Sequence, residues 1–418
     1  MKEYFHSVKL IEENCKGCTK CMINCPVEAI RLKNSKALIY EDVCIDCGEC
    51  IRVCPYNAHV AQKDSLDALS NFKINIVIPS VTLYLQFGEY INPSLVNEGI
   101  IDLGFDEVFD TTYACDIVSE ITKKEIEKMY KPAISPFCLG VVRLIQTNYP
   151  SLLDHVVKVL TPIEVAANLI REKYRNLGYK DEDIGVFYLT PCTAWVTKVK
   201  MSSLNKKSQI NGAIAISDIF QRLLRHINKK RHSIEEQPLT MSFAGLSWGA
   251  TGGQSNSMGI SEYIAVDGVK NVIKVLDEVE NGKYKEIEFI DALACDGGCL
   301  GGMLLVDNPF NAKRILRKYC YHLNFTYKFN DPQEYYKNEF FQDVHILKIS
   351  NKKLADDFES AVKKMKYMNE LINNLPGIDC GQCGSPSCKA FAEDVVRGLC
   401  NVNECKMINI GGENNESI

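Results

Sequence analysis

The sequence predicts a mixed α/β (α+β) protein in three parts: a small cysteine-rich α+β domain, a larger α/β domain and a small cysteine-rich C-terminal domain. Three observations predict it. One cysteine motif occurs twice near the start, strand-like and helical runs alternate through a cysteine-poor middle, and a different cysteine array closes the chain. The expected boundaries are 1–65, 66–345, a connecting helix over 346–375, and 376–418.

In the first part, Cys15, Cys18, Cys21 and Cys25 precede Pro26, and Cys44, Cys47, Cys50 and Cys54 precede Pro55. Each run is C-x2-C-x2-C-x3-C-P. The second follows the first by 29 positions, down to Ala29 and Ala58. This is the spacing of a double-cubane ferredoxin, in which the fourth cysteine of each run serves the other cluster. Cys15, Cys18, Cys21 and Cys54 are therefore expected to hold one [4Fe-4S] cluster, and Cys44, Cys47, Cys50 and Cys25 the other. A zinc ribbon has no use for the exchanged Cys-Pro, and disulfides need an oxidising compartment.

The 418 residues leave room for two or three domains and a sizeable core, and 46% hydrophobic content is ordinary for a globular chain. Net charge is −5 with Lys and Arg scattered, which excludes a nucleic-acid footprint. The short basic run Lys229-Lys230-Arg231 reads as a solvated helix end. Met1 to His6 lacks the layout of a signal peptide, and the longest apolar stretch, Ile74 to Leu85, is interrupted by Asn75, Pro79, Ser80 and Thr82. No membrane partner is expected, and iron-bound thiolates point to a reducing cytoplasm.

In the middle, Asn71 to Leu85 reads as a β-branched strand running into Pro79-Ser80. Helices are expected at Ser151 to Val159 and Pro162 to Leu177, the latter opened by Pro162 and stopped by Gly178. Strands follow at Gly185 to Leu189 and Ala213 to Ile216, then a helix from Asp218 to His226. Leu354, Phe358, Val362, Met365, Met368, Leu371 and Leu375 recur at helical spacing until Pro376-Gly377.

The tail carries Cys380, Cys383, Cys388 and Cys405, a C-x2-C-x4-C-x16-C array whose glycines let the backbone wrap closely. Zinc is the alternative on spacing alone, and Cys400 is the alternative fourth ligand. The array and the following Ala390 to Gly398 segment resemble the Fe-S domain known as the four-cysteine cluster module, and that resemblance implies iron.

Between 66 and 345 only Cys115, Cys138, Cys192, Cys295, Cys299 and Cys320 occur. Cys295-Asp296-Gly297-Gly298-Cys299 offers two thiolates on a glycine-rich turn. Ser135-Pro136-Phe137-Cys138 and Thr190-Pro191-Cys192-Thr193-Ala194-Trp195 each offer one on a loop. Four loop thiolates make a further cubane. Cys115 and Cys320 read as buried core. The seven histidines show no metal spacing, with His226 and His232 expected on an exposed basic surface.

With these three loops the chain resembles an [FeFe] hydrogenase over essentially its whole length, and its closest resemblance is to the sensory branch. That resemblance rests on the Ser-Pro-x-Cys segment with Val141 to Gln146, on Val269 to Leu276, and on the C-terminal module. It implies an H-cluster whose cubane is held by Cys138, Cys192, Cys295 and Cys299, for four [4Fe-4S] clusters in all. Cys299 would also bridge to a diiron subsite carrying CO, cyanide and azadithiolate. Trp248 to Gly253 resembles the glycine-rich wall of the diiron pocket. As a phosphate loop it fails, because no Gly-Lys-Ser/Thr follows.

The departures concern the diiron side. Phe137 stands where productive enzymes carry a proton-relaying cysteine, Thr190 where they carry a methionine, and Trp195 where a lysine holds a cyanide. Leu139 and Leu293 replace a proline and a methionine. An indole donates one hydrogen bond but supplies no cation. The expected function is a low-turnover, H2-sensing hydrogenase that interconverts H2 with protons and electrons, using a redox partner such as ferredoxin and a signalling partner. The alternative is a cubane-only electron-transfer or regulatory protein. A related Fe-S assembly factor is disfavoured by the C-terminal module.

Overall fold

The computed structural model describes residues 5–89, 91–201, 209–230, 241–322 and 354–408, without the side chains of 320–322. Arg231, His232, the Cys320 side chain and the expected 345/346 boundary lie outside the described residues. The chain divides into two compact units, Met1–Ala61 with Ile349–Ile418, and Gln62–Lys348.

In the first unit, β1 (Val8–Leu10) pairs antiparallel with β4 (His59–Ala61), and β2 (Ile30–Lys33) with β3 (Lys36–Ile39). The helices Lys20–Asn24 and Glu49–Val53 each start after a left-handed residue, Thr19 and Gly48. The backbone repeats as the sequence does. Glu28 and Asn57, also 29 positions apart, have φ of 51° and 49°, turning the chain after each fourth cysteine.

The tail belongs to this same unit. Its helix Phe358–Asn374 is capped by Asp357, whose carboxylate accepts from Ser360 N at 2.8 Å, and it ends before Pro376. Leu371 and Leu375 pack with Phe391, Ala392 and Val396 of the helix Cys388–Val396. The segment expected as a connector is thus part of the module's own core. The module is also bonded to β2: Leu32 N donates to Gly384 O at 2.7 Å, and Lys33 Nζ to Leu399 O at 2.7 Å.

In the second unit, β5 (Ile74–Pro79), β6 (Glu107–Val108), β8 (Ile184–Thr190) and β9 (Gly212–Ala215) form a parallel sheet in the order β6-β5-β8-β9. A second parallel sheet has the order β10-β11-β7, with β7 at Ala133–Ile134, β10 at Tyr263–Asp267 and β11 at Phe289–Leu293. Every residue of β8 and β11 is buried. Parallel strands need helical crossovers, and these cover the faces and explain why both strands are buried along their whole length.

The expected strand over 71–85 stops at Pro79, and Val81–Gln86 turns into a 3-10 helix opened by Ser80, whose hydroxyl accepts from Thr82 N. The helix expected over 151–159 is a single 3-10 stretch, Pro150–His155. Beyond it Val156 runs extended and bridges Ile134 at the edge of β7; sheet pairing overrides the local pattern there. Pro162–Asn176 forms as expected, with Gly178 at φ 92°. The first boundary falls at Ala61/Gln62, because Asp64 is already tied into β9: its amide donates to Ala213 O at 2.9 Å and its carboxylate accepts from Ala213 N at 2.9 Å.

Thr161 and Glu164 form a reciprocal capping box on Pro162–Asn176. Thr161→Ala should therefore cost about 1 kcal/mol of stability, read as a lower denaturant midpoint with an unchanged slope.

Candidate metal centres

Cysteine pairs with C-x2-C spacing bring thiols together only if the backbone turns sharply between them, and in the first unit the left-handed residues supply those turns. Burial pushes the Cys21 thiol up to about 11, and the neighbouring thiolates of Cys15, Cys18 and Cys54 add to it. The same four line one recess. Burial raises Cys50 well above the usual thiol range, with Cys47 and Cys25 the next causes, and it raises Cys47 to about 12, again with Cys25 facing it. Cys44 is raised well above the usual range by burial and by Asp46, Cys47 and Cys50. Cys54 thus faces the first run, and Cys25 the second.

The two copies share a further device. Ala29 N donates to Cys25 Sγ at 3.2 Å and Ala58 N to Cys54 Sγ at 3.3 Å. Such N–H donors favour charged sulfur. Beside Cys44, the buried His6 holds Asp46, Nδ1 to Oδ2 at 2.9 Å. These three side chains bring donor atoms within 4.8 Å of one another. Sequence reading missed this group, since His6 lies 40 positions from Asp46.

In the tail, Cys380, Cys383, Cys388 and Cys405 line one recess, and Cys400 is not part of its lining. The Cys400 Sγ instead lies 3.9 Å from Phe391 O, and burial and Asp394 push its thiol up to about 12. Cys388 N is held by Asp379 Oδ1 at 2.7 Å.

The central cysteines follow the C-terminal ends of parallel strands, where open α/β folds place their sites. Cys138 comes after β7, Cys192 directly after β8, and Cys295 and Cys299 after β11. Burial pushes Cys299 well up, and Cys138, Cys295 and Cys192 act in the same direction. The structure therefore brings the four together. Cys138 and Cys192 cap the helices Leu139–Asn148 and Thr193–Lys200, whose N-termini favour negative sulfur. Ala294 N donates to Cys138 Sγ at 3.3 Å. Soft, mutually repelling, buried thiolates with amide donors aimed at them are a donor set suited to a cationic iron-sulfur core.

The walls follow from close approach. Cys299 N donates to Gly249 O at 2.8 Å, and a Cβ on Gly298, at φ 73°, would fall 2.8 Å from that same oxygen. The Trp248 to Gly253 segment is thus packed against the third loop. Phe137, 8% exposed, stacks edge-on against Trp248 at 5.2 Å, and Trp195, 4% exposed, against Tyr188 at 5.4 Å. Trp248 Nε1 donates to the Ser119 and Ser257 hydroxyls, both at 2.9 Å. Thr190 is buried; its hydroxyl accepts from Cys192 N at 3.0 Å, fixing the turn after β8. Leu293 is buried and Leu139 half-buried.

Two further groups escaped the sequence reading. Tyr188 is buried with Ser80 and with Cys299, Cys192 and Cys115 around its hydroxyl, and burial drives its acidity down. Asp291, fully buried in β11, is pushed up to about 7 by burial. Its Oδ1 accepts from Gln254 Nε2 at 2.8 Å, and Gln254 Oε1 accepts from Ser135 Oγ at 2.6 Å, linking β11 to the Cys138 loop. In strands buried on both faces a polar residue breaks no alternation, so such groups stay hidden. Cys115 is buried as expected. His226 is not on an exposed surface: its ring is 9% exposed and pairs with Asp102 at 2.7 Å.

No helix among the described residues is long and apolar enough to cross a membrane. A model of the iron only hydrogenase large subunit, C-terminal domain, matches residues 74–263 and 254–303. A 4Fe-4S dicluster domain matches 14–58, and an Fe-S cluster domain matches 375–407. The NADP-reducing hydrogenase subunit HndD of Solidesulfovibrio fructosivorans is 24% identical over 326 residues, 63% of this chain and 56% of that protein. Iron hydrogenase 1 of Clostridium pasteurianum is 23% identical over 294 residues, 57% of this chain and 51% of its own length. The chain thus spans about half the length of these curated relatives. A solved [FeFe]-hydrogenase of Chlamydomonas reinhardtii aligns at 15% identity and a TM-score of 0.47, over 60% of this chain and 87% of that one. With the family model covering more than half of its residues, the chain belongs to the iron-only hydrogenases, as an iron-sulfur protein.

Proposed function

We propose that the chain is a low-turnover, H2-sensing hydrogenase of the cytoplasm, exchanging electrons with a ferredoxin-like partner and passing its redox state to a signalling partner. The observation that carries the reading is the convergence of Cys138, Cys192, Cys295 and Cys299 from three loops, inside the part matched by the hydrogenase model. These four would hold the cubane of an H-cluster, with Cys299 bridging to a diiron subsite. When bound, that cofactor supplies the chemistry of H2 ⇌ 2 H⁺ + 2 e⁻.

The chain's own residues shape what the site can do. Phe137 packs on Trp248 and carries no titratable atom, so it neither holds nor moves a proton. Thr190 is committed to the Cys192 amide. Trp195 is wedged against Tyr188 and presents no cation to an anionic ligand. Gly249 and Gly298 let the backbone pack close against the Cys299 loop. The accessory sets, Cys15/Cys18/Cys21/Cys54, Cys44/Cys47/Cys50/Cys25 and Cys380/Cys383/Cys388/Cys405, would hold the remaining [4Fe-4S] clusters. The buried aromatic pair at Phe137 and Trp248 also favours a second reading, a cubane-only regulator without the diiron unit.

Infrared spectroscopy after loading with the diiron cofactor separates the two: intrinsic CO and cyanide bands support the hydrogenase, and a verified failure to bind the cofactor supports the regulator.

Anaerobically reconstituted protein should take up about sixteen irons, four per cubane. Cys192→Ala or Cys295→Ala should lower this to about twelve while leaving the ferredoxin-type signals intact. Saturation near twelve irons, with zinc in the tail, contradicts the assignment of the C-terminal set.

In the tail, Cys405→Ala should lose about four irons and Cys400→Ala should lose none. The reverse pattern would exchange their roles.

Phe137→Cys should raise H2 turnover, with the ~10²–10⁴-fold typical of a positioned proton-transfer group as the ceiling. Parent protein already turning over at the rate of productive hydrogenases contradicts the sensory reading.

A further inference from the structure

Two of the proposed cluster sites in the first unit share walls that are one residue thick. Gly381 lies between Cys380 and Cys383, and a Cβ there would fall 2.9 Å from Cε of Met22, the fully buried neighbour of Cys21. Gly384 follows Cys383; its carbonyl accepts from Leu32 N at 2.7 Å, and a Cβ there would lie 2.3 Å from Leu32 O. Leu32 in turn lines the recess shared by Cys15, Cys18, Cys21 and Cys54. The loop carrying two tail cysteines is therefore pressed against residues that enclose the first cysteine set.

A buried ion pair holds this contact. Arg31 Nε donates to Asp394 Oδ2 and Arg31 Nη2 to Asp394 Oδ1 at 3.3 Å, across 363 positions of sequence. Their side chains are 7% and 5% exposed. Ser385 Oγ also donates to Asp394 Oδ2 at 3.2 Å, Arg31 Nη1 donates to Glu28 O at 2.6 Å, and the guanidinium lies 4.9 Å from the Tyr40 ring. Desolvating two charges cancels much of their attraction, so such a pair is a poor source of net stability. What a bidentate pair does supply is geometric specificity.

We propose that Arg31 and Asp394 are positioning residues that hold the C-terminal cysteine set against the Cys15/Cys18/Cys21/Cys54 set, so that clusters at the two sites form a coupled redox pair. The inference rests on the ligand sets proposed above. The step it allows is a one-electron exchange: one cluster is oxidised as the other is reduced, with no bond formed and no proton moved. In the test, dithionite is the electron donor.

The test is electron paramagnetic resonance of the full chain, reconstituted and fully reduced, beside a Cys380→Ala/Cys383→Ala variant. Iron should fall from about sixteen to about twelve, and a splitting or broadening seen in the parent should be lost with it. Sixteen irons with a parent spectrum equal to the variant's plus one isolated cluster signal overturns the coupling while leaving the ligand reading intact. Zinc in the tail, with iron near twelve in both proteins, overturns both.

The clamp is tested separately by Asp394→Asn, which keeps every cysteine: iron should be retained and the interaction weakened. Should that substitution cost the protein its fold by leaving Arg31 buried without a countercharge, Arg31→Met/Asp394→Leu leaves no buried charge. Retained iron with reduced coupling supports the clamp, and retained iron with unchanged coupling overturns it.

Discussion

Thiolates gathered in one place repel one another, and burial removes the water that would screen them. This is the constraint on which the rest of the structure depends. At Cys299 the burial cost and the fields of three other cysteines all act against ionisation. The chain offsets the cost locally with amides, from Ala294 to Cys138 and from Ala29 and Ala58 to Cys25 and Cys54, and with helix N-termini at Cys138 and Cys192. What these dipoles leave uncompensated calls for positive charge, which a bound iron core supplies. On the proposed ligand sets, ionised thiolates without their metal would be an electrostatic liability to the fold.

Topology explains how distant cysteines meet. Cys138 and the Cys295–Cys299 turn leave the C-terminal ends of neighbouring parallel strands, β7 and β11, and Cys192 leaves the C-terminal end of β8 in the other sheet, so cysteines far apart in sequence meet at strand ends. The remaining wall comes from Trp248 and Gly249, fixed by the bond from Cys299 N to Gly249 O and by the serines on Trp248 Nε1. Glycine at 298 is required there because any Cβ would strike Gly249 O, and its positive φ is costly for other residues.

Much of this was legible in the sequence because metal chemistry imposes local spacing. The duplicated cysteine runs and the C-x3-C turn can be read from a few adjacent residues, and so can Pro162–Asn176 from its opening proline and closing glycine. Longer-range physics was not legible. Nothing near Arg31 announces Asp394, and nothing near Leu32 announces Gly384, so the tail read as a separate appendage on a connector. The 151–159 pattern was equally deceptive, since Val156 leaves the helical path to bridge Ile134. Tyr188 and Asp291 were hidden by strands buried on both faces, where a polar residue carries no periodic signal.

The aromatic replacements bear on chemistry through the same electrostatics. Phe137 packs on Trp248 and Trp195 on Tyr188, two buried aromatic contacts in the domain that carries the central cysteines. Among buried side chains each charge interacts strongly with its neighbours, and a negative charge without a cation is costly. The upward push on Asp291, to about 7, is that cost read at a carboxyl group. In the hydrogenase proposed above, the indole of Trp195 would offer no cation to stabilise negative charge, and Phe137 would hold no proton to neutralise it. On the proposed function, slow exchange of protons with retained exchange of electrons would let a redox state, once set, persist long enough for a partner to read it.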